Sequence, residues 1–365
     1  MNEFSDGYYV TPEEIASIPL KILHDFEKIC PSSPWRALDE EREYAQKLRS
    51  WPSYAFADQE TYQLAVAAVH GIAADDEMPI PHMLLFQRLA SDLEVLGPWR
   101  ITRGIYCFDS ELSNAIADTD PAGVIPVEIL QRLPEWAVCI FGEGLARKDP
   151  TSEDTIICSL ASIVYDHKPN IATLRILNIH KDFGRSGGSI DLLPGKTVES
   201  SLTDILASMD NISNELSDEL PGIQADIQDV RLNKLKIIDH VSRVVAHLLY
   251  LCADEPDMES PPPRPTPQKT KKGSRFFPPN KGERIIQVGA RFGAMFRRTR
   301  AQFTAAESNA KIGRTMPPHW RKAHWAHFWV GPRKSENRSQ IIKWIAPTFV
   351  NATVDELPVV VRPVL

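Results

Sequence analysis

The sequence predicts an α+β protein with a helical N-terminal region, a central, mainly antiparallel sheet with helices, and a basic, β-rich C-terminal module. Three observations carry that reading. Early apolar residues recur with helical spacing, whereas the middle of the chain holds short runs rich in Ile, Val and Leu bounded by turn residues. Leu235, Ile238, Val241, Val245, Leu248, Leu249 and Cys252 form a stripe at three- and four-residue steps. A proline-rich stretch then separates an acidic body from a basic end. These observations divide the chain into a mainly helical region at 1–130, an α+β body at 131–252, a Pro-rich basic linker at 253–282 and a basic β-rich module at 283–365.

In chain order, 1–60 reads as irregular or weakly helical, with scattered Pro and Trp. Good helix formers fill 61–73. A second helix covers 81–96, with Pro81 in its first turn and Gly97-Pro98 as its stop. Strands are expected at 136–141, 155–165 and 171–179, with 166–170 as a hairpin loop. A glycine-rich loop at 184–188 precedes a helix at 198–209 that Thr197 can cap. The striped helix, 235–252, turns Lys236, Asp239, Ser242, Arg243 and His247 to its other face.

Within 253–282, the prolines and Lys269, Lys271 and Lys272 offer little apolar surface to offset ordering entropy, so a linker or an extended basic arm is expected. Alternation over 284–296, with Gly289 and Gly293 opposing a helix, predicts a strand. Residues 325–330 and 340–345 flank Gly331, Pro332, Ser335 and Asn337, the pattern of a β-hairpin.

Of 365 residues, 43% are hydrophobic, enough to bury a core. No run of about 18 apolar residues occurs, and the start of the chain lacks a basic segment followed by an apolar one, so neither a membrane span nor a secretory signal is expected. Cys30, Cys107, Cys139, Cys158 and Cys252 are odd in number and lie in or beside apolar stretches without a C-x-x-C pair. That pattern predicts reduced thiols in a cytoplasmic protein and no cysteine zinc site.

The net charge of −7 hides a division, because 264–365 hold 20 Lys+Arg and 5 Asp+Glu, and the remainder holds 21 and 43. The basic end is suited to phosphates, to an acidic protein surface, or to docking on the body of its own chain.

The segment Gly195-Lys196-Thr197 resembles the end of a phosphate-binding loop, but Ile190 stands where the loop needs its first glycine. A turn before a capped helix is the better reading. His319, His324 and His327 form H-x4-H-x2-H, which three-histidine zinc sites can use, yet no acidic partner stands near to orient them, and no metal or cofactor is expected. The main candidate site is the aromatic and basic block that contains His319, Trp320, Arg321, Lys322, His324, Trp325, His327, Trp329, Lys343 and Trp344. Rings that stack bases beside cations that neutralise phosphate serve single-stranded RNA, and Trp and Arg equally serve protein–protein hot spots. Some of these tryptophans must also fill the module's core.

Six segments then carry a family resemblance. They are Pro134-Glu135-Trp136-Ala137-Val138-Cys139-Ile140, Leu248-Leu249-Tyr250-Leu251-Cys252-Ala253-Asp254-Glu255-Pro256, Val288-Gly289-Ala290-Arg291-Phe292-Gly293, Pro318-His319-Trp320-Arg321-Lys322-Ala323-His324-Trp325, Phe328-Trp329-Val330-Gly331-Pro332 and Lys343-Trp344-Ile345-Ala346-Pro347. In this order they resemble the type V-A anti-CRISPR proteins that suppress biogenesis of the effector nuclease. The resemblance implies carriage on mobile genetic elements and binding of a polypeptide segment of the type V-A nuclease as it is translated, followed by loss of the message. It implies no catalytic residues. The alternative is an RNA-binding protein or ribonuclease that uses the basic module, with RNA or the ribosome as partner.

Overall fold

The computed structural model describes residues 2–3, 9–10, 12–72, 79–119, 127–216, 223–271, 273–279, 282–307, 319–321, 323–331 and 339–350. The strand pair β1 (Asn2–Glu3) and β2 (Tyr9–Val10) precedes four helices: α1 (Pro12–Ile29), α2 (Pro34–Leu48), α3 (Gln59–His70) and α4 (Ile80–Thr102). Next come β3 (Gly104–Phe108), α5 (Ser110–Ala117), α6 (Val127–Leu130), β4 (Ala137–Phe141), β5 (Arg147–Lys148), β6 (Thr155–Asp166), β7 (Ile171–His180) and β8 (Arg185–Leu192). Three helices follow: α7 (Val198–Leu216), α8 (Ile223–Leu232) and α9 (Lys234–Leu251). The C-terminal third contains β9 (Gln268–Thr270), β10 (Gly273–Arg275), β11 (Arg284–Val288), α10 (Ala290–Glu307), β12 (His319–Arg321), β13 (His324–Val330), β14 (Ser339–Ile345) and β15 (Thr348–Val350).

The central sheet runs β11-β3-β4-β6-β7-β8, with β5 also paired to β6. Its β11–β3 and β3–β4 pairs are parallel, and its other pairs are antiparallel. Strand alternation divides the buried side chains between two faces. Ile105 and Cys107 join Phe26, Leu38, Tyr62, Leu96 and Trp99 beneath α1–α4. Tyr106 and Phe108 join Leu112, Ile116, Val245 and Leu249 beneath α5 and α9. The fold is therefore α+β, with helices on both faces of a mixed, mainly antiparallel sheet. Among the described residues, no helix is long and apolar enough to cross a membrane.

Several elements differ from expectation. The region before residue 60 holds two full helices. Ser33 caps α2 by accepting the Arg36 N–H, and Ile15, Ile18, Ile22 and Phe26 give α1 a buried stripe. Helix α4 passes through Gly97-Pro98. Proline at 98 removes the donor that would reach the Glu94 carbonyl, and the Ser162 hydroxyl replaces it at 2.9 Å. With that carbonyl satisfied, buried Trp99 and Ile101 can extend the helix. Residues 185–188 of the loop expected at 184–188 lie in β8, where a Cβ on Gly187 would meet the Ile176 carbonyl at 2.8 Å. The strand expected over 284–296 ends at Val288. Gly289, at φ +82°, turns the chain into α10. On α9, Leu235 is 78% exposed and His247 is fully buried, the reverse of their expected faces. The central strands, the 166–170 hairpin, the Thr197 cap (Thr197 Oγ1 accepts the Ser200 N–H at 3.0 Å) and the β13–β14 hairpin follow the sequence.

The proline-rich stretch lies against the body. Arg264 donates to the carbonyls of Ser53 and Leu133, and Phe276 packs edge-on to Phe56 and Trp136 at 5.1 and 5.8 Å. Strand β11 closes one edge of the sheet, and Arg284 pairs with buried Glu135, which also accepts the Tyr106 hydroxyl at 3.0 Å. Asp257 then caps α10 by accepting the N–H groups of Arg291 and Phe292 at 2.9 and 3.0 Å.

Candidate functional site

A cavity of about 250 Å³ opens between the α9-side face of β7–β8 and helices α7, α8 and α9. Its walls are Ile176 and Ile190 from the sheet, Leu202, Ile205, Leu206 and Met209 from α7, and Ile237 and Val241 from α9. On the groove side β8 presents Gly188, where an added Cβ would meet nothing within 4 Å. Strand β8 is also the terminal strand of the sheet. The volume lies below the roughly 300–1,000 Å³ of cofactor and drug-sized pockets, so the groove suits a few side chains of a larger partner.

One end of the groove has a buried polar floor. Asn178 Oδ1 accepts from the Ser159 hydroxyl at 2.8 Å and from His240 Nε2 at 3.0 Å. Its amide nitrogen donates to Ser186 Oγ at 3.4 Å, and Ser186 donates to Asp149 Oδ2 at 2.5 Å. Asp149 also accepts from the Thr151 N–H and hydroxyl at 2.8 and 2.7 Å. Burial alone would raise the Asp149 carboxyl, but hydrogen bonds from His180, Ser186 and Thr151 outweigh it and hold the group well below the usual carboxylate range. Burial pushes His240 down to about 4, so it is neutral at pH 7, with Nε2–H given to Asn178 and Nδ1 left without a partner.

Asp149, His180 and Ser186 resemble a hydrolase triad in composition but not in geometry. The Asp149 and Ser186 oxygens both approach His180 Nε2, at 3.0 and 2.9 Å. A relay needs them on opposite ring nitrogens. A second Ser–His pair is structural: Gly144 N–H donates to Ser113 Oγ, Ser113 bonds His247 Nε2 at 2.9 Å, and His247 Nδ1 bonds the Arg243 carbonyl. Burial pushes His247 down to about 4.

The residues expected to form a C-terminal site are spread over two strand pairs. His319, Trp320 and Arg321 form β12, which pairs with β15, whereas Lys322 and the hairpin turn at 332–338 lie outside the described residues. His324 is exposed at the start of β13, and His327 stands opposite Ile342 in the ladder. Trp325 and Trp344 are directly opposed, 6% and 8% exposed, and belong to the core on the α9 side of the sheet. Trp344 packs edge-on to Tyr250 at 5.7 Å and Phe292 at 5.8 Å, and Lys343 pairs with Asp254 at 3.0 Å. The hairpin exposes Phe328, Trp329 and Val330.

Sequence reasoning missed the groove. Its residues come from five separated segments, and the Ser186–Ser189 stretch reads as a loop when the strand pairing is unknown.

The anti-CRISPR type V subtype A2 (AcrVA2-like) family matches residues 106–352, more than half of the chain. The chain belongs to the AcrVA2-like family. The matched range begins in β3 and covers the central sheet, the groove and the C-terminal strands. A crystal structure of AcrVA2 superposes with a TM-score of 0.56 at 21% identity, over 92% of this chain and 99% of that one, which is a likeness of fold. This AcrVA2-like chain is also similar to Protein FinQ of Escherichia coli, 26% identical over 277 residues that make up 73% of this chain and 78% of FinQ.

Proposed function

We propose that this anti-CRISPR protein binds a polypeptide segment of the type V-A effector nuclease during translation and thereby lowers its expression. The observation that carries the reading is the apolar groove between β7–β8 and α7–α9. An extended or helical peptide can bind such a groove through a few apolar anchors, and a terminal strand offers main-chain partners. The sequences of α7 and α8 contain Glu199, Asp204, Asp210, Glu215, Asp226 and Asp229 against Arg231 alone. That balance favours a basic segment, as expected of a nuclease that holds nucleic acid.

Two reporters and one variant test the proposal. The first reporter carries the nuclease coding segment with every synonymous change, and the second keeps nearly the same nucleotides in a shifted frame. Peptide recognition predicts repression of the first only, and an Ile205→Arg protein that remains folded should lose it. Repression of the shifted reporter alone would replace the peptide with the message as the target.

The exposed Phe328 and Trp329 on a hairpin of the basic third keep RNA binding as a second reading, because exposed rings beside cations can stack bases. It predicts binding that weakens steeply with salt and falls in a Trp329→Ala variant.

A further inference from the structure

We propose that Asp154, His180 and Asp182 form a divalent-cation site of the manganese or zinc class beside Asp149 and Ser186, which line the groove. One ligand atom from each of the three lies within 4.8 Å of the others. Asp154 ends the loop before β6, His180 ends β7, and Asp182 lies in the turn to β8.

Acidic residues near a turn are not enough for a site; the histidine supplies the further observation. His180 is only 4% exposed. Its Nε2 is engaged by the buried Asp149 carboxylate at 3.0 Å and the Ser186 hydroxyl at 2.9 Å. With Nε2 so engaged, Nδ1 is the ring nitrogen on the Asp154 side. Nδ1 stands 3.7 Å from Asp154 Oδ2, beyond hydrogen-bonding reach. Two ligands each about 2.1 Å from a shared ion lie roughly 3.0–3.5 Å apart, so binding draws the exposed Asp154 and Asp182 side chains inward from within 4.8 Å, in competition with the Ser152 hydroxyl and the Gly184 N–H that they accept at 3.3 and 2.7 Å. A carboxylate bonded to the far nitrogen of a metal-binding histidine is the usual orienting device of such centres, and Asp149 occupies that place.

The donor set limits the ion. Two carboxylates and one imidazole suit manganese or zinc better than magnesium, which prefers oxygen alone, or copper(I), which prefers sulfur. Three protein ligands leave positions open to water or to an oxygen of a bound partner. The ion would join the 149–154 loop to the β7–β8 turn. Backbone bonds already link these segments: the Asp149 N–H donates to the Asp154 carbonyl at 2.7 Å, and the Lys181 N–H to the Thr155 carbonyl at 2.9 Å. Because Asp149 and Thr151 also line the groove, the cation would stiffen one of its walls. The inference does not depend on what the groove binds.

The test uses the full chain after dialysis against EDTA. Manganese chloride is titrated while free Mn²⁺ is read by electron paramagnetic resonance, and zinc chloride then competes. One Mn²⁺ per chain is expected, displaced by zinc, with affinity lowered about tenfold or more in Asp154→Asn and in Asp182→Asn. Both residues are exposed, so these variants should unfold at the wild-type denaturant midpoint. Glu153→Gln, which removes an adjacent acid paired with Lys148, should bind as wild type. Absence of bound Mn²⁺ and Zn²⁺ at millimolar metal would overturn the proposal. So would equal weakening in all three variants, which would show diffuse attraction to acidic surface.

Discussion

Replacing Trp344 with alanine should destabilise the protein by about 3–5 kcal/mol, a cost set by packing. The ring is 8% exposed and meets Tyr250 and Phe292 edge-on. Burying a tryptophan removes roughly 150–250 Å² from water, worth about 4–6 kcal/mol, and a realistic unfolded chain lowers that by 10–40% on an order-of-magnitude scale. The two ring contacts add about 0.5–1.5 kcal/mol each. Against this, the buried Trp344 Nε1–H has no acceptor, and removing it returns about 1–3 kcal/mol. The midpoints of these terms sum to about 4 kcal/mol, inside the range for large-to-small changes.

Trp344→Phe separates these effects, because it keeps a ring in place and removes the unpaired donor. It should cost less than about 1.5 kcal/mol. Trp329, 57% exposed, should cost less than about 1 kcal/mol on truncation. Urea unfolding followed by far-UV circular dichroism gives all three values. Wild-type stability in Trp344→Ala together with lost RNA or peptide binding would refute the argument, since it would make Trp344 a contact residue and not part of the core.

Acidification should destabilise the fold between pH 6.5 and 4.5. His240 and His247 have folded-state values near 4 against a usual 6.5, so each contributes roughly 3 kcal/mol that is fully present above pH 6.5 and lost as pH falls toward 4. Burial raises Glu94 to about 7, and its opposite contribution, lost as pH rises from 4.5 to 7, offsets about one of the two histidines. Urea midpoints that stay flat or rise on acidification would contradict this. Gly289→Ala should cost about 2–4 kcal/mol, because the position has φ +82° and a Cβ there would lie 2.1 Å from Leu112 Cδ2; an unchanged melting temperature would refute it. Ser162→Ala should cost about 1–3 kcal/mol by leaving the Glu94 carbonyl in α4 unsatisfied, and Ser162→Thr should recover part of the loss; equal stability of the alanine variant and wild type would refute the role.

The sequence made elements legible where one short-range pattern controlled them. β6 and β7 are β-branched runs around a four-residue turn, and α7 has its cap one residue upstream. It misled where a distant residue settled the outcome. Pro98 looks like a helix stop until Ser162, 64 positions later, supplies the missing hydrogen bond. Residues 184–188 look like a loop until β7 pairs with them, and 284–296 looks like one strand until Asp257 caps a helix from Ala290. The aromatic block was visible as composition, but which rings would be buried was not. Trp325 and Trp329 share one face of an alternating strand, and what distinguishes the covered end is that Trp325 stands opposite Trp344, which packs against Tyr250 and Phe292.

The segments that carry the family resemblance lie mainly at joints. Glu135 receives Arg284 and Tyr106. Trp136 packs on Phe56 and Phe276. The loop after α9 supplies Asp254 to Lys343 and leads into Asp257, the cap of α10, while Tyr250, Phe292 and Trp344 share one aromatic cluster. None of the groove residues lies in those segments. Frame and groove are thus specified by different parts of the chain. If the groove holds the partner as proposed, changes at Leu202, Ile205, Leu206 or Met209 would alter what it accepts while the joints stay intact, whereas a change at Trp344 or Gly289 threatens the fold whatever the partner is. Exchanging the α7 groove residues for those of another member should change which nuclease segment is repressed without moving the unfolding midpoint by more than a surface substitution does.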